Sequence, residues 1–220
     1  MGETNNKKAI FGISRHRMGI DGKGITTLVA FMGCPLRCKY CLNDQCHAPV
    51  VKDDGRTLRK GVRMLSPEEL FGIVKKDNIY FQVTGGGICF GGGEPAMNED
   101  FISGFARLCP GNWKLTIETS LRCSDKTIAD LSEYIDEWIV DVKDLNGSIY
   151  ERYTRVPSEI VQRLRCLKKF VPLNKVTVKV PLIPHFNTRE DVEKSISLLK
   201  EMGFGNIVRT NYIIKETTLK

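Results

Sequence analysis

Three thiols fall within eight residues in the stretch Cys34-Pro35-Leu36-Arg37-Cys38-Lys39-Tyr40-Cys41. Thiolates are metal ligands and nucleophiles, so the first question is what such a loop can hold. A structural zinc needs four ligands, which Cys46 or His47 would complete, but those sites generally use two separated pairs. A ferredoxin-type cluster needs a fourth cysteine, often followed by proline, and the local C-x2-C-x2-C rhythm is absent here. Three thiolates on a [4Fe–4S] cluster would leave one iron without a protein ligand, an open position where chemistry can occur. The spacing favours that third arrangement over zinc, with ordinary redox or unliganded cysteines as the remaining alternative.

A second motif lies about fifty residues on, in "CFGGGEPAM". Consecutive glycines let backbone amides and carbonyls approach a ligand with no Cβ in the way. Pro95 removes a donor and holds Glu94 extended, so the chain cannot run straight into a helix. A glycine run alone is as well read as a tight turn. The four cysteines outside the cluster's neighbourhood, Cys89, Cys109, Cys123 and Cys166, read as small buried hydrophobes.

Stepping from these residues to the elements that must carry them, the chain alternates. "GITTLVAFMG" is a β-branched apolar run that ends at the cysteine loop. Residues 42–65 are polar and turn-rich and predict irregular structure. Ser66-Pro67-Glu68-Glu69 starts a helix, with Ser as N-cap and acids in the first turn. "GICFGGG", "WKLTIETS", "EWIVDVKD", "KVTVKVPLI" and "NIVRTNYII" read as further strands. Helices are predicted between them over 98–109, 124–134, 158–170 and 188–202, the last closed by Gly203. Six strands separated by helices imply right-handed βαβ units and a parallel sheet, either doubly wound or a partial barrel. Both put chemistry at the C-terminal strand ends. The cysteine loop, "GGGEP", "ETS" and "DVKD" all sit there, and so define one face and one site.

Composition narrows the class. With 220 residues, 41% hydrophobic and 27% charged, the chain suits one domain spanning 1–220. No apolar run approaches the roughly 18 residues of a membrane span, and "MGETNNKKAIF" has no signal-peptide core. A cytoplasmic protein without a disulfide framework is expected. The net charge of +7 reads as a solvated positive surface rather than a nucleic-acid surface, and leaves room for an acidic protein partner.

Taken together the motifs are similar to those of radical S-adenosylmethionine (SAM) enzymes. Within them the chain resembles the activating enzymes of glycyl radical enzymes, from about Phe11 to Tyr212. "DGKGITTLVAFMGCPLRCKYCLND", "LSPEELFGIVKKDNIYFQVTGGGICFGGGEP", "LTIETS", "IVDVKDLN" and "VKVPLIPHFN" follow in that family's order. The resemblance implies a partial (β/α)6 barrel with one [4Fe–4S] cluster on Cys34, Cys38 and Cys41, its fourth iron chelated by SAM. It implies that Tyr40, Cys41 and Leu42 border the adenine, and that Gly92, Gly93 and Glu94 hold the methionyl amino end. Asp141, Val142 and Lys143 match the strand positions that face SAM, with Asp141 and Lys143 assigned the catalytic role. Glu118 and Thr119 match a pair that, with Asp141, lies near a monovalent cation, and Lys179 stands where the family tends to carry arginine. The implied reaction is anaerobic reductive cleavage of SAM, fed by an external one-electron donor such as flavodoxin or ferredoxin. The implied partner is a glycyl radical enzyme.

The chain also departs from that family. Residues 47–66 hold no cysteine-rich ferredoxin-like insert, so a single cluster is expected. The final "PYH" is here Asn211-Tyr212-Ile213, without a SAM-contacting histidine, and the sequence ends at Lys220, before the closing helix of many relatives. Modification of a peptide or small molecule by the same core is the competing enzymatic reading. A metal-stabilised binding module without catalysis is the third.

Overall fold

The computed structural model describes residues 6–212. Eight strands form one open sheet in the order β3-β1-β2-β4-β5-β6-β7-β8. Six of them, β2 (Ile25–Phe31), β4 (Gly87–Gly92), β5 (Lys114–Thr119), β6 (Glu137–Asp141), β7 (Val176–Leu182) and β8 (Ile207–Asn211), run parallel. These are the six strands expected from the sequence; only residues 213 and 214 of the last expected run lie outside the described residues. The architecture is a partial (β/α)6 barrel.

Two strands were not expected. β1 (Lys8–Met18) pairs antiparallel with β2, and β3 (Arg63–Leu65) pairs with the start of β1. β1 carries "KAIFGISRHRM", in which only Ile10 is buried, so it lacks the apolar alternation that marks a strand. Its partner holds it, not its own burial. Residues 42–62 are otherwise irregular, apart from a 3-10 turn over Asp44–His47 and a bridge between Val51 and Leu58.

The helices follow their caps. α1 (Pro67–Val74) begins at Ser66 with a reciprocal capping box to Glu69. α2 (Asn78–Thr84) continues from it and closes on left-handed Gly85. α3 (Glu99–Ala106) is shorter than the expected 98–109: a 3-10 turn over residues 95–98 precedes it, and residues 107–109 leave the helix as a turn. α4 (Asp125–Ser132) is capped by Ser124. α5 (Gly147–Thr154) is a further unexpected helix, started by Asn146, whose side chain accepts from Ser148 and Ile149 amides. α6 (Ile160–Phe170) and α7 (Arg189–Glu201) complete the set, the latter with a capping box from Thr188 to Asp191.

The core runs between the sheet and these helices, with Trp138, Phe90, Phe101, Phe105 and Ile117 fully buried. Glycine is obligatory at one crossing: a Cβ at Gly87 would stand 2.0 Å from the Lys114 carbonyl oxygen. Among the described residues, no helix is long and apolar enough to cross a membrane.

Candidate active site

The C-terminal ends of the parallel strands open into one pocket. The loop after β2 contributes Cys34, Cys38, Cys41 and Leu42, and the end of β4 contributes Gly92, Gly93 and Glu94. The end of β5 adds Glu118 and Thr119, and the end of β6 adds Asp141 and Lys143. Residues separated by more than a hundred positions therefore share one lining, because parallel strands deliver all their C-termini to the same edge.

The cysteine loop is fixed by backbone bonds on three sides. Gly33 donates to the Cys46 carbonyl (2.8 Å), and Glu94 donates to the Gly33 carbonyl (2.8 Å). On the far side, Arg37 and Lys39 donate to the carbonyls of Thr154 and Tyr153 at the end of α5. The Asn43 side-chain amide donates to the Gly92 carbonyl (3.0 Å), tying the loop to the glycine run. All eight cysteines are free thiols. Burial pushes Cys34 up to about 12 and Cys38 up to about 11, Lys143 partly opposing the rise at Cys38. Cys41 is held down by a hydrogen bond from Cys46, whose own thiol is pushed up by the same bond and by burial.

The glycine run has a role that the sequence reading did not foresee. A Cβ at Gly93 would lie 2.0 Å from the Gly33 oxygen, and one at Gly92 2.7 Å from the Ala30 Cα, where φ is also +92°. Gly93 therefore lets the second loop press against the start of the cysteine loop, and Gly92 lets the end of β4 press against β2; the missing side chains make room for chain as well as for a ligand. Glu94 serves the same junction. Its carboxylate is 1% exposed and takes bonds from Thr119 Oγ1 (2.5 Å), Ser120 Oγ (2.5 Å), the Ser120 amide (2.9 Å) and the Ala96 amide (3.2 Å). With both oxygens engaged, the Glu94 side chain clamps the loop after β4 to the end of β5.

Two lysines set the charge of the inner wall. Lys143, 8% exposed, donates to Asp141 and lies 5.5 Å from the centre of the Tyr212 ring. Burial alone would lower its ammonium, but Asp141, with Tyr212, Cys38 and Tyr153 around it, outweighs that and holds it well above the usual lysine value. Lys179 donates to Glu118 at 2.6 Å, and its register partner across the sheet is Asp141. Burial opposes the Lys179 charge as well, and Glu118 again prevails.

Three expected residues lie elsewhere. Val142 is a fully buried core residue, since alternation along the strand end turns it away from Asp141 and Lys143. Tyr40 faces the other side of the cysteine loop, packed on Tyr153, Phe186 and Tyr212. Lys179 sits behind Glu118 rather than in the lining. The expectation did not include Leu36, Asn43, Ser120 or Tyr212, which do line the pocket. Ser120 follows Thr119 directly, and its hydroxyl after "IET" was the available signal. Asn43 gave none.

Three free thiols on one pocket wall are a donor set whose chemistry fits an iron–sulfur cluster. Among the described residues, no three His, Cys, Asp or Glu side chains converge tightly enough to hold one metal ion. The three thiols instead ring a shared pocket. Cys46 and His47, the other zinc candidates, are engaged, with Cys46 on Cys41 and the His47 Nδ1 against the Arg37 guanidinium.

The sequence model of the Radical SAM superfamily matches residues 28–199, and the chain belongs to that superfamily of enzymes. Among characterised relatives, the chain is 26% identical over 236 residues to the choline trimethylamine-lyase activating enzyme of Oleidesulfovibrio alaskensis, covering 84% of this chain and 75% of that one. It is 28% identical over 221 residues to the pyruvate formate-lyase 2-activating enzyme of Escherichia coli, covering 90% and 75%. The fold is similar to native anSMEcpe with bound AdoMet, with a TM-score of 0.59 at 20% identity over 83% of this chain. It is also similar to Streptococcus suis SuiB, with a TM-score of 0.60 at 16% identity over 84% of this chain. This chain spans less than half the length of either structure, 49% and 38%.

Proposed function

We propose that Cys34, Cys38 and Cys41 hold one [4Fe–4S] cluster and that SAM binds across the strand ends beside it. When bound, this pair supplies one-electron reductive cleavage of the sulfonium to methionine and a 5′-deoxyadenosyl radical. The observation that carries the reading is the pocket in which three free thiols, a glycine-rich backbone edge and a partly buried lysine–aspartate pair meet.

The residues of this chain bind, orient and shield. The backbone of Gly92, Gly93 and Glu94 offers polar groups to the amino-acid end of SAM, and Leu42 supplies apolar surface for its base. Lys143 and Lys179 carry positive charge beside Asp141 and Glu118, the carboxylates that with Thr119 would border a monovalent cation. Shielding of the site from water protects a reactive intermediate, and alignment of a target C–H bond supplies much of the rate.

The substrate in this reading is a backbone glycine of a partner glycyl radical enzyme, from which a hydrogen atom is taken in the cytoplasm. Support comes from relatives named as activating enzymes of such lyases. The test is anaerobic reconstitution with iron and sulfide, then SAM and a chemical reductant, with and without a glycyl radical enzyme encoded beside the gene. The expected result is a stable carbon-centred radical on the partner, with an EPR doublet from the remaining α-hydrogen. Rapid turnover of a free small molecule or peptide, with no protein radical, would refute the activase reading and leave the SAM chemistry standing.

A further inference from the structure

The cysteine loop has a second, outward face. There Lys39 and Tyr40, which separate Cys38 from Cys41 in the chain, border an open cleft with Arg152, Arg155, His185 and Phe186. The cleft shares no lining residue with the inner pocket. It is basic: Lys39, Arg152 and Arg155 are exposed, and Glu151 is the one carboxylate among the lining residues. Among the described residues none of those three cations forms a salt bridge, whereas Arg15, Arg17, Arg163, Lys143 and Lys179 each do. Arg152 is held in place without a salt bridge, although Asp191 lies near enough to feel its charge. It donates to the Phe186 carbonyl, and its guanidinium lies 5.6 Å from the centre of the Phe186 ring.

Behind this surface stands one layer of aromatic rings. Tyr40 packs on Phe186 (5.7 Å between centroids), and Tyr153 packs on both Phe186 (5.0 Å) and Tyr212 (5.7 Å). Tyr212 then faces the inner pocket beside Lys143. A partner seated on the cleft would meet Lys39 and Tyr40, which lie between Cys38 and Cys41 in the chain, and none of the residues that line the inner pocket.

We propose that this basic cleft is the docking surface for an acidic one-electron carrier protein, a low-potential flavin or iron–sulfur protein that reduces the metal site of the cysteine loop. The inference rests on the reading of the loop as a cluster site and adds where its reductant binds. Electron tunnelling weakens steeply with distance, so a carrier must approach the thiols closely. It must also leave the pocket free for SAM and substrate, and the cleft meets both conditions. Unpaired cations on a small exposed surface suit a transient, electrostatically steered encounter. The step is a bare electron transfer: the reduced carrier loses one electron, the metal site gains it, and no bond or proton changes at the interface.

The test compares reconstituted wild type with the double variant R152E/R155E and the conservative R152K/R155K. Binding of flavodoxin and of ferredoxin is measured by calorimetry at low and high salt. Reduction by each pre-reduced carrier is followed by stopped-flow absorbance, and SAM cleavage is measured with dithionite. Charge reversal should leave iron content and dithionite-driven cleavage at the wild-type level. It should weaken carrier binding and slow carrier-driven reduction by about tenfold or more, and the lysine pair should restore both. Wild-type affinity should fall as salt rises. Unchanged binding and reduction in the reversed variant would overturn the proposal, as would a wild type that dithionite reduces but neither carrier binds. Loss of glycyl radical enzyme binding with carrier binding intact would overturn it too, assigning the cleft to the protein substrate. A wild type that cleaves no SAM with dithionite would instead refute the proposed function, while carrier binding would still decide the docking surface.

Discussion

At the scale of single residues, the thiols divide into two groups by where they point. Cys34, Cys38 and Cys41 line the pocket, whereas Cys46 is buried behind them and Cys89 lies in the sheet core. Changing any of the first three to Ala should abolish the cluster. Cys46→Ala, Cys89→Ala, Cys109→Ala, Cys123→Ala and Cys166→Ala should each retain about four irons per chain, measured by colorimetric iron assay after reconstitution. Loss of metal in Cys46→Ala would point to a four-ligand site instead. The glycines give a sharper prediction. Since a Gly93 Cβ meets the Gly33 oxygen at 2.0 Å, Gly93→Ala should displace the cysteine loop as well as the SAM edge. A cost of about 2–3 kcal/mol in urea unfolding, together with reduced iron loading, is the expected outcome. Normal stability with weakened SAM binding alone would show that the ligand, not the loop contact, requires the glycine.

At the scale of elements, the site depends on junctions that carry no chemistry. Asp144 accepts from the Asn146 amide, from Ser195 and from the Asn187 side chain, so it braces the end of β6 against α7 and the turn after β7. Asp77, fully buried after α1, accepts from Arg15 and His16 on β1 and from Thr27 on β2. Burial would raise its carboxyl, but the Arg15 and Thr27 hydrogen bonds and the Arg15 and His16 charges outweigh that and hold it below its usual value. Because the folded value lies below the unfolded one, this stabilisation is complete above the unfolded carboxylate value of about 3.9. It fades as pH falls through the folded value. Asp77→Asn should therefore cost about 2 kcal/mol at neutral pH. Urea midpoints of variant and wild type should converge as pH falls below the folded value of the Asp77 carboxyl; a gap that stays constant with pH would mean that the charge is irrelevant.

For the whole molecule, the sheet and its helices supply nearly all of the core, and the cysteine loop adds one fully enclosed side chain to it. Leu36 is the loop residue that reaches deep into it, at 2% exposure. Removing metal with a chelator should thus leave far-ultraviolet circular dichroism unchanged. It should also expose the loop to trypsin at Arg37 and Lys39, which are already on the surface. The loaded protein should resist that cleavage, because ligand binding stabilises the closed loop by mass action. Equal cleavage in both forms, read by mass spectrometry, would show that the thiols do not hold the metal.

The sequence alone determined the strand–helix alternation, the parallel sheet and the strand ends at which the functional residues stand. Those features are written in local periodicity and caps: Ser66, Ser124 and Thr188 start their helices as their side chains dictate. It also determined the three thiols, since their types and spacing are themselves the chemistry. Tertiary structure decided the rest. β1 exists because β2 offers it hydrogen-bond partners, which no apolar pattern in "KAIFGISRHRM" foretells. Whether Tyr40 faces the pocket or the outer cleft was decided by the bonds that tie the loop to α5, a helix marked in the chain only by Asn146. The clamp of Glu94 on Thr119 and Ser120 joins residues 25 and 26 positions apart, as the pairing of Lys179 with Glu118 joins residues 61 apart. Long-range contacts of this kind arise when the sheet sets adjacent strand ends side by side, and one-dimensional spacing carries no record of it.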